Sequence, residues 1–279
     1  MSTFVGDIRY SLRMLVRSPG FTAVAVLSLA LGIGANTAIF SLINGILYKS
    51  LPVRNPHELR AVTWTGDMSR RTMRSFQGPG RVGDSQYFPY SAYQDFAQHA
   101  PGFSDMFAFS CPTPLTISVG GEASLANVQM VSGDFFQGYG TRTLIGRPIA
   151  PEDDRRDAPP VAVLTYPFWQ RVYGLDPQVL GHTLTVNKTI FTVIGVLPRR
   201  HAGPSAGERR TDLYVPMMVQ PRLGDKDWLS SSDAWWVQLM GRLASRVDEP
   251  QAQSSLEVLF SQVLNRSTVE IDRPGILLQ

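Results

Sequence analysis

The stretch GFTAVAVLSLALGIGANTAIFSLINGILY, residues 20–48, decides the class of this chain. No charged residue occurs between Ser18 and Tyr48, and about 20 apolar residues are enough for a helix to cross the hydrocarbon core of a bilayer. A buried helix of a soluble protein is usually shorter and has a polar face. A cleaved signal peptide has an apolar region of roughly 7–15 residues, whereas this run continues through Leu47. The stretch therefore predicts an uncleaved transmembrane helix over residues 20–48.

Small residues within this helix predict that it packs against other helices. Ser28 and Gly32 are four residues apart, as are Gly34 and Ala38. Small side chains at this spacing let a second helix approach closely, because packing drives helix association in lipid. Glycine and serine are also common in membrane helices that have no such role, and this alternative stays open.

A short basic segment precedes the predicted span. Arg9, Arg13 and Arg17 recur at four-residue intervals, with apolar residues on much of the remaining helical surface. This pattern predicts an amphipathic helix over residues 1–19 at the cytoplasmic surface of the membrane. Basic residues on the two sides of the span nearly balance, and long domains cross membranes largely regardless of charge. We expect residues 52–279 outside, although charge alone does not decide this orientation.

The sequence after the span predicts an α+β domain, because strand-like and helix-like runs are interspersed along it. Alternating or short apolar runs predict strands at residues 59–65, 106–110, 115–119, 125–131, 161–164, 183–186, 189–197, 213–217 and 235–243. Helical spacing predicts helices at residues 91–98, 132–136, 166–174 and from 248 onward. Asp248 and Gln251 are expected to form a capping box on the last helix. Residues 66–86 are interpreted as a long basic loop.

Composition and motifs argue against an enzyme or a nucleic-acid binder. The net charge is only +3, and the arginine-rich loops lack the interleaved aromatic residues of single-strand binders. The four histidines follow no metal-ligand spacing. The run GPGRVG at residues 78–83 lacks the strand and helix that a dinucleotide-binding turn requires. The acidic run from Glu152 to Asp154 is expected to be a solvated helix start, with a cation site as the alternative. We expect no catalytic residue, metal or cofactor.

Four long segments resemble one family, the MacB/FtsX type of bacterial ABC transporter permease, and in particular its orphan branch best known from Acidobacteria. The segment DIRYSLRMLVRSPGFTAVAVLSLALGIGANTAIFSLINGILYKSLP, residues 7–52, is similar to the start of such a permease. The resemblance continues in VSGDFFQGYGTRTLIGRPIAPEDD (131–154), APPVAVLTYPFWQRVYGLDPQVLGHTLTVNKTIFTVIGVLP (158–198) and WVQLMGRLASRVDEPQAQSSLEVL (236–259).

This resemblance implies one N-terminal transmembrane helix followed by an extracytoplasmic, MacB-like periplasmic core domain. In that family the core domain has porter-like βαβ units and a β-rich part, and it lies between the first two membrane helices. The implied location is the bacterial inner membrane. The implied partners are a cytoplasmic ABC ATPase supplied in trans, other permease helices or a second permease subunit, and the lipid bilayer.

The family's permeases have further membrane helices after the core domain, whereas this sequence contains one predicted span. We therefore expect the N-terminal part of a non-enzymatic permease subunit that couples an ATPase to an outer domain for export or envelope transport. The alternative is a single-span anchored interaction module of the cell envelope without transport activity. These two hypotheses differ in whether an ATPase acts with the chain.

Overall fold

A computed structural model divides the chain into two units, residues 1–51 and 52–279. The structure describes residues 18–43, 54–68, 74–75, 86–201, 203–204, 210–245, 247–267 and 269–279. In the first unit, helix α1 runs from Pro19 to Ile43. Its segment Pro19–Phe40, 22 residues, is long and apolar enough to cross a membrane. Residues 44–48 of the predicted span, and the predicted surface helix with Arg9, Arg13 and Arg17, lie outside the described residues.

The second unit is a mixed α/β domain, which confirms the predicted α+β class. The helices in its described residues are α2 Tyr90–His99, α3 Phe135–Tyr139, α4 Tyr166–Tyr173, α5 Gln220–Leu223 and α6 Glu249–Asn265. The strands there are β1 Leu59–Met68, β2 Arg74–Ser75, β3 Phe88–Pro89, β4 Phe103–Ser110, β5 Thr113–Val119, β6 Glu122–Val131, β7 Ile145–Gly146, β8 Val161–Leu164, β9 Thr183–Val186, β10 Thr189–Val196, β11 Leu213–Pro216, β12 Ala234–Leu243 and β13 Ile271–Leu278.

Four strands and two helices form a split βαβ sheet. The strand order is β4-β12-β1-β13, and every neighbouring pair is antiparallel. Helix α2 connects β1 to β4, which are therefore parallel and have β12 between them. Helix α6 connects β12 to β13, which are likewise parallel and have β1 between them. This interleaving of two βαβ units is the ferredoxin-like arrangement. Trp64, Trp235 and Phe260 pack ring to ring in the core that this sheet forms with α6.

Six other strands close into a ring. The pairs are β5–β6, β6–β11, β11–β8, β8–β10, β10–β9 and β9–β5. Side chains alternate between the inside and the outside of such a barrel. On β8, Ala162 and Leu164 belong to the larger hydrophobic core, whereas Val161 and Val163 belong to a second, smaller one. These six barrel strands all come between β4 and β12 in the sequence.

The second core joins the split sheet to the barrel. It contains Phe107 and Phe109 of β4, Phe135 and Tyr139 of α3, and Tyr214 of β11. The Phe135 ring stacks on Tyr214 with centroids 5.8 Å apart and meets Phe107 edge to face at 5.6 Å. Because close-packed interiors transmit displacement rather than absorb it, α3 links the two parts of the domain mechanically.

Three local predictions were wrong. Strand β1 extends to Met68 and residues 74–75 form β2, so part of the predicted loop 66–86 is strand; the residues 69–73 and 76–85 lie outside the described part. Helix α3 begins at Phe135 and not at Ser132, because the Ser132 hydroxyl instead accepts a hydrogen bond from the Ala108 N–H at 3.0 Å. The C-terminal strand β13 was not predicted.

The capping box on the last helix was also wrong. Asp248 is the N-cap residue of α6, but its side chain makes no capping hydrogen bond. An N-cap side chain normally accepts from the second or third N–H of the helix. Pro250 occupies the second position and has no N–H, so one of the two possible donors is missing.

Candidate functional site

The four predicted packing residues lie on α1 and are exposed: Ser28, Gly32, Gly34 and Ala38. No atom lies within 4 Å of a Cβ built on Gly32 or Gly34. Successive residues of a helix turn by about 100°, so the pair Ser28/Gly32 lies roughly 120° around the helix from the pair Gly34/Ala38. The helix thus offers two small-residue stripes rather than one face. Helix packing through these stripes stays a prediction.

A buried arginine holds the first described residues of the second unit. Arg242 of β12 is 2 % exposed. Its Nη1 donates to the Asn55 carbonyl and to Glu58 Oε2, both at 3.0 Å. Its Nη2 and Nε donate to the Gly138 carbonyl of α3, at 2.9 and 3.3 Å. We call these four residues, Asn55, Glu58, Gly138 and Arg242, the clamp. Its guanidinium group hydrogen-bonds both the first described residues of the domain and α3, which we call the junction helix because it packs between the split sheet and the barrel.

Two glycines allow the close approach that the clamp requires. A Cβ at Gly138 would strike the ring of Phe107 on β4. Gly140, which ends α3 with φ of +80°, would place a Cβ 2.8 Å from the Cβ of Arg54. Glycine adopts this left-handed conformation without steric penalty. The end of α3 therefore lies directly against the segment that begins the domain.

Hydrogen bonds and ion pairs stabilise residues 54–60 at the start of the domain. The hydrogen bond from Arg242 lowers the pKa of Glu58, although partial burial opposes the effect. Asn55 Nδ2 donates to the other carboxylate oxygen of Glu58 at 3.0 Å. Separately, Arg60 of β1 pairs with Glu249 at the start of α6, with Nη2 and Oε2 2.8 Å apart. Arg60 also donates to the carbonyls of His57 and Leu59, at 2.7 and 3.0 Å, but in the described hydrogen bonds it does not reach α3. It is therefore a control for the connection to α3 that Arg242 makes.

The two ends of the domain lie side by side. The Ala61 N–H donates to the Gln279 carbonyl at 2.8 Å, and the Gln279 N–H donates back to the Ala61 carbonyl at 3.0 Å. Strands β1 and β13 run antiparallel. The beginning of β1 and residue Gln279 therefore lie at the same end of the split sheet.

The acidic run is structural rather than a solvated helix start, so that expectation was wrong. Asp153 makes two hydrogen bonds with Arg147 and accepts one from the Ala150 N–H. Burial alone would raise the pKa of Asp153, but these bonds lower it. Asp154 accepts from the N–H groups of Gly133 at 3.0 Å and Met218 at 2.8 Å. Burial nevertheless raises its pKa to about 6.

A partly buried histidine packs against two tyrosines of the second core. His201 Nε2 is 2.9 Å from the hydroxyl of Tyr214, and its ring meets those of Tyr214 and Tyr139 edge to face. Burial lowers the pKa of His201 to about 4, so the ring is neutral at pH 7. Among the described residues, no group of three or more His, Cys, Asp or Glu side chains is placed to hold a metal ion.

Sequence reasoning missed the clamp. A signal for Arg242 was present, since it is the one charged residue in the strand AWWVQLMGRL, and a charge in an apolar strand needs a buried partner. The partners themselves, 104 and 184 or more positions away, leave no local pattern. No signal in the sequence places His201 beside Tyr139 and Tyr214.

Comparison with known proteins decides the family. Residues 22–259 match the MacB-like periplasmic core domain. The chain belongs to this family. The match begins inside α1. None of the curated proteins matches the chain.

Solved structures share the MacB-like fold. The periplasmic region of MacB from Actinobacillus actinomycetemcomitans has a TM-score of 0.55 at 16% identity, covering 78% of this chain and 87% of that one. The extracellular domain of the noncanonic ABC-type transporter YknZ from Gram-positive bacteria has a TM-score of 0.52 at 13% identity, with coverage of 78% and 99%. The predicted family and fold are thereby confirmed.

Proposed function

We propose that this chain is the N-terminal part of an ABC transporter permease subunit. It has no catalytic activity of its own, and it couples a cytoplasmic ATPase to the extracytoplasmic domain for export or envelope transport. The observation that carries the proposal is the clamp, because Arg242 joins the segment that follows the membrane helix to the junction helix α3. A domain that only bound a partner from a passive anchor has no need of such a connection.

The path of the motion follows from the contacts. Within the second unit, the path begins at residues 54–58, the first described residues of the domain. Arg242 passes the motion to Gly138 of α3, and α3 is packed against both β4 and β11 in the second core. Coupling between distant sites needs a contiguous set of packed or hydrogen-bonded groups with two arrangements. The clamp and the second core supply the contiguous set between residues 54–58 and the barrel.

The proposed partners follow from the ends of the domain and from α1. Within the domain, Gln279 lies beside Ala61. The stripes Ser28/Gly32 and Gly34/Ala38 pack against other permease helices or a second permease subunit. The basic segment before α1 lies at the inner face of the bacterial plasma membrane, where the ATPase acts.

The test measures coupling directly. The permease and the ABC ATPase that co-purifies with it are reconstituted in proteoliposomes. The permease carries Cys111→Ser and a fluorescent label on Leu125→Cys, a barrel position that is 71% exposed. ATP should change the label's fluorescence in the parent protein and in the control Arg60→Met. The change should be absent in Arg242→Met, while ATP turnover continues.

A gentler variant guards against simple misfolding. Arg242→Lys keeps the charge, but one ammonium group cannot span the clamp as a planar guanidinium does, so coupling should fall with a smaller loss of stability. An ATP-dependent change that persists in Arg242→Met contradicts the coupling role. No ATP-dependent change even in the parent protein favours the anchored interaction module instead.

Orientation is tested separately. Ser254 on α6 is exposed, so Ser254→Cys in the Cys111→Ser background should react with a membrane-impermeant maleimide in spheroplasts. Labelling only after lysis would place the domain in the cytoplasm and contradict the proposed topology.

A further inference from the structure

The barrel has an apolar pocket at one end. Its volume is about 320 Å³, and its apolar lining includes Leu115, Met130, Leu223 and Trp228. These side chains belong to, or pack against, the same hydrophobic core that fills the barrel. Pockets of roughly 300–1,000 Å³ with an apolar lining and a few polar groups are typical of small-ligand sites. The pocket therefore has the size and chemistry of a site for a slender apolar group.

The wall of this pocket is held in place by a buried glutamine. Gln220 of α5 is 6% exposed. Its Nε2 donates to the Lys226 carbonyl at 2.9 Å, and its Oε1 accepts from the Trp228 N–H at 2.8 Å. Asn187 Nδ2, in the β9–β10 turn, donates to the Leu223 carbonyl at 2.8 Å. The loop over the pocket is thus fixed without a ligand, as expected of a preformed site.

The rim of the pocket carries one charge of each sign. The exposed side chains of Asp225 and Lys226 both border it. In the described part of the chain neither of them forms an ion pair, whereas the neighbouring Asp227 pairs with Arg156. The rim therefore offers an ammonium and a carboxylate group to a ligand that itself carries both charges.

We propose that this pocket binds the alkyl chain of a zwitterionic amphiphile, with the head group on Asp225 and Lys226. The aliphatic lining and the adaptable thioether of Met130 suit a flexible chain. A docked protein surface fits less well, because a stable protein interface buries about 800 Å² on each partner, whereas this pocket of about 320 Å³ has room for one slender group. The site is independent of the proposed coupling role.

The experiment uses the domain of residues 52–279, a compact unit with its own cores, as in the solved relatives, which are the corresponding regions alone. Decylphosphocholine is titrated below its micelle concentration while the methyl signal of Met130 is followed by NMR. Saturable binding is expected, and octylphosphocholine should bind more weakly by up to about fourfold per missing methylene. Phosphocholine without a chain should not bind.

Two pocket-filling variants and one matched control test the location. Leu115→Trp and Thr113→Phe should each weaken decylphosphocholine binding at least tenfold. Ile190→Trp places the same indole on the outside of the barrel, where Ile190 is 63% exposed, and should bind normally. Absence of saturable binding, or equal affinity in all four proteins, would overturn the proposal. In the double variant D225N/K226Q, an unchanged affinity for decylphosphocholine would overturn the assignment of the head group.

Discussion

Replacing Arg242 with methionine tests the clamp as a structural element. The substitution removes all four hydrogen bonds of the guanidinium group and leaves the carbonyl oxygens of Asn55 and Gly138 without these donors. The Asn55 carbonyl keeps a hydrogen bond from the Glu58 N–H at 3.0 Å, so the buried Gly138 carbonyl is the group left without the donors described for it. A buried polar group left unsatisfied costs about 1–3 kcal/mol, and we expect a loss of about that size in the free energy of unfolding. Most domains have a total stability of about 5–15 kcal/mol, and the variant should therefore fold.

The assay is urea unfolding of the domain of residues 52–279, followed by tryptophan fluorescence and by far-UV circular dichroism. Arg60→Met is the matched control, because it removes an arginine pair from the same end of the sheet, where Arg60 is 24% and Glu249 40% exposed. Exposed pairs contribute about 0–1 kcal/mol. If Arg242→Met destabilises the domain no more than Arg60→Met does, the clamp does not hold the first segment and the reasoning fails.

Three further predictions concern titration and assembly. The pKa of His201 is about 4 in the folded protein and 6.5 in the unfolded chain. The unfolded chain therefore binds the extra proton first, and the free energy of unfolding falls as the pH is lowered from 6.5 to 4. Urea titrations should show that wild type loses about 3 kcal/mol relative to His201→Gln between these two pH values. The pKa of Asp154 is raised from 3.8 to about 6 in the folded protein, so the folded protein binds the proton first and the free energy of unfolding rises as the pH is lowered from 6 to 4. Over this range wild type should gain up to about 3 kcal/mol relative to Asp154→Asn. An NMR titration of the Asp154 carboxyl carbon with a midpoint near pH 4 would contradict this prediction. In the double variant Gly32→Leu/Gly34→Leu, the added Cβ atoms have no neighbour within 4 Å. We therefore expect weaker crosslinking of α1 to other membrane segments, while the domain unfolds as in wild type. Unchanged crosslinking would show that these glycines have no packing role.

Much of the fold is predictable from local pattern. The apolar run of β8, the helical spacing of α6 and the β9–β10 hairpin are all present as predicted. The hairpin turn falls on Asn187 and Lys188, which have φ of 47° and 116°, and asparagine tolerates this conformation better than most residues. Strand β13 escaped prediction because Pro274 and Gly275 interrupt it. Proline is tolerated there because β13 lies at the edge of the sheet.

The site depends on contacts that no local pattern encodes. Asp154 looks like part of a solvated turn in sequence, yet its partners Gly133 and Met218 come from elements 21 and 64 positions away. The barrel closes through the parallel pairing of β6 with β11, which joins Val128 to Leu213. Only the resemblance to a family indicated that a β-rich part and βαβ units share one domain. Predicting the clamp would require knowing which carbonyl groups, distant in sequence, lie beside Arg242 in the fold.

The position of the barrel in the sequence has a consequence for how such domains diversify. Strand β4 ends at Ser110, β12 begins at Ala234, and Ser110 is paired with Val237. A segment whose two ends leave from neighbouring strands can change length at little entropic cost, since doubling a loop costs only about 0.6 kcal/mol. The split sheet can therefore serve as a constant frame on which lineages exchange one barrel for another, provided that each exchanged segment keeps a helix like α3, whose Gly138 carbonyl accepts from Arg242.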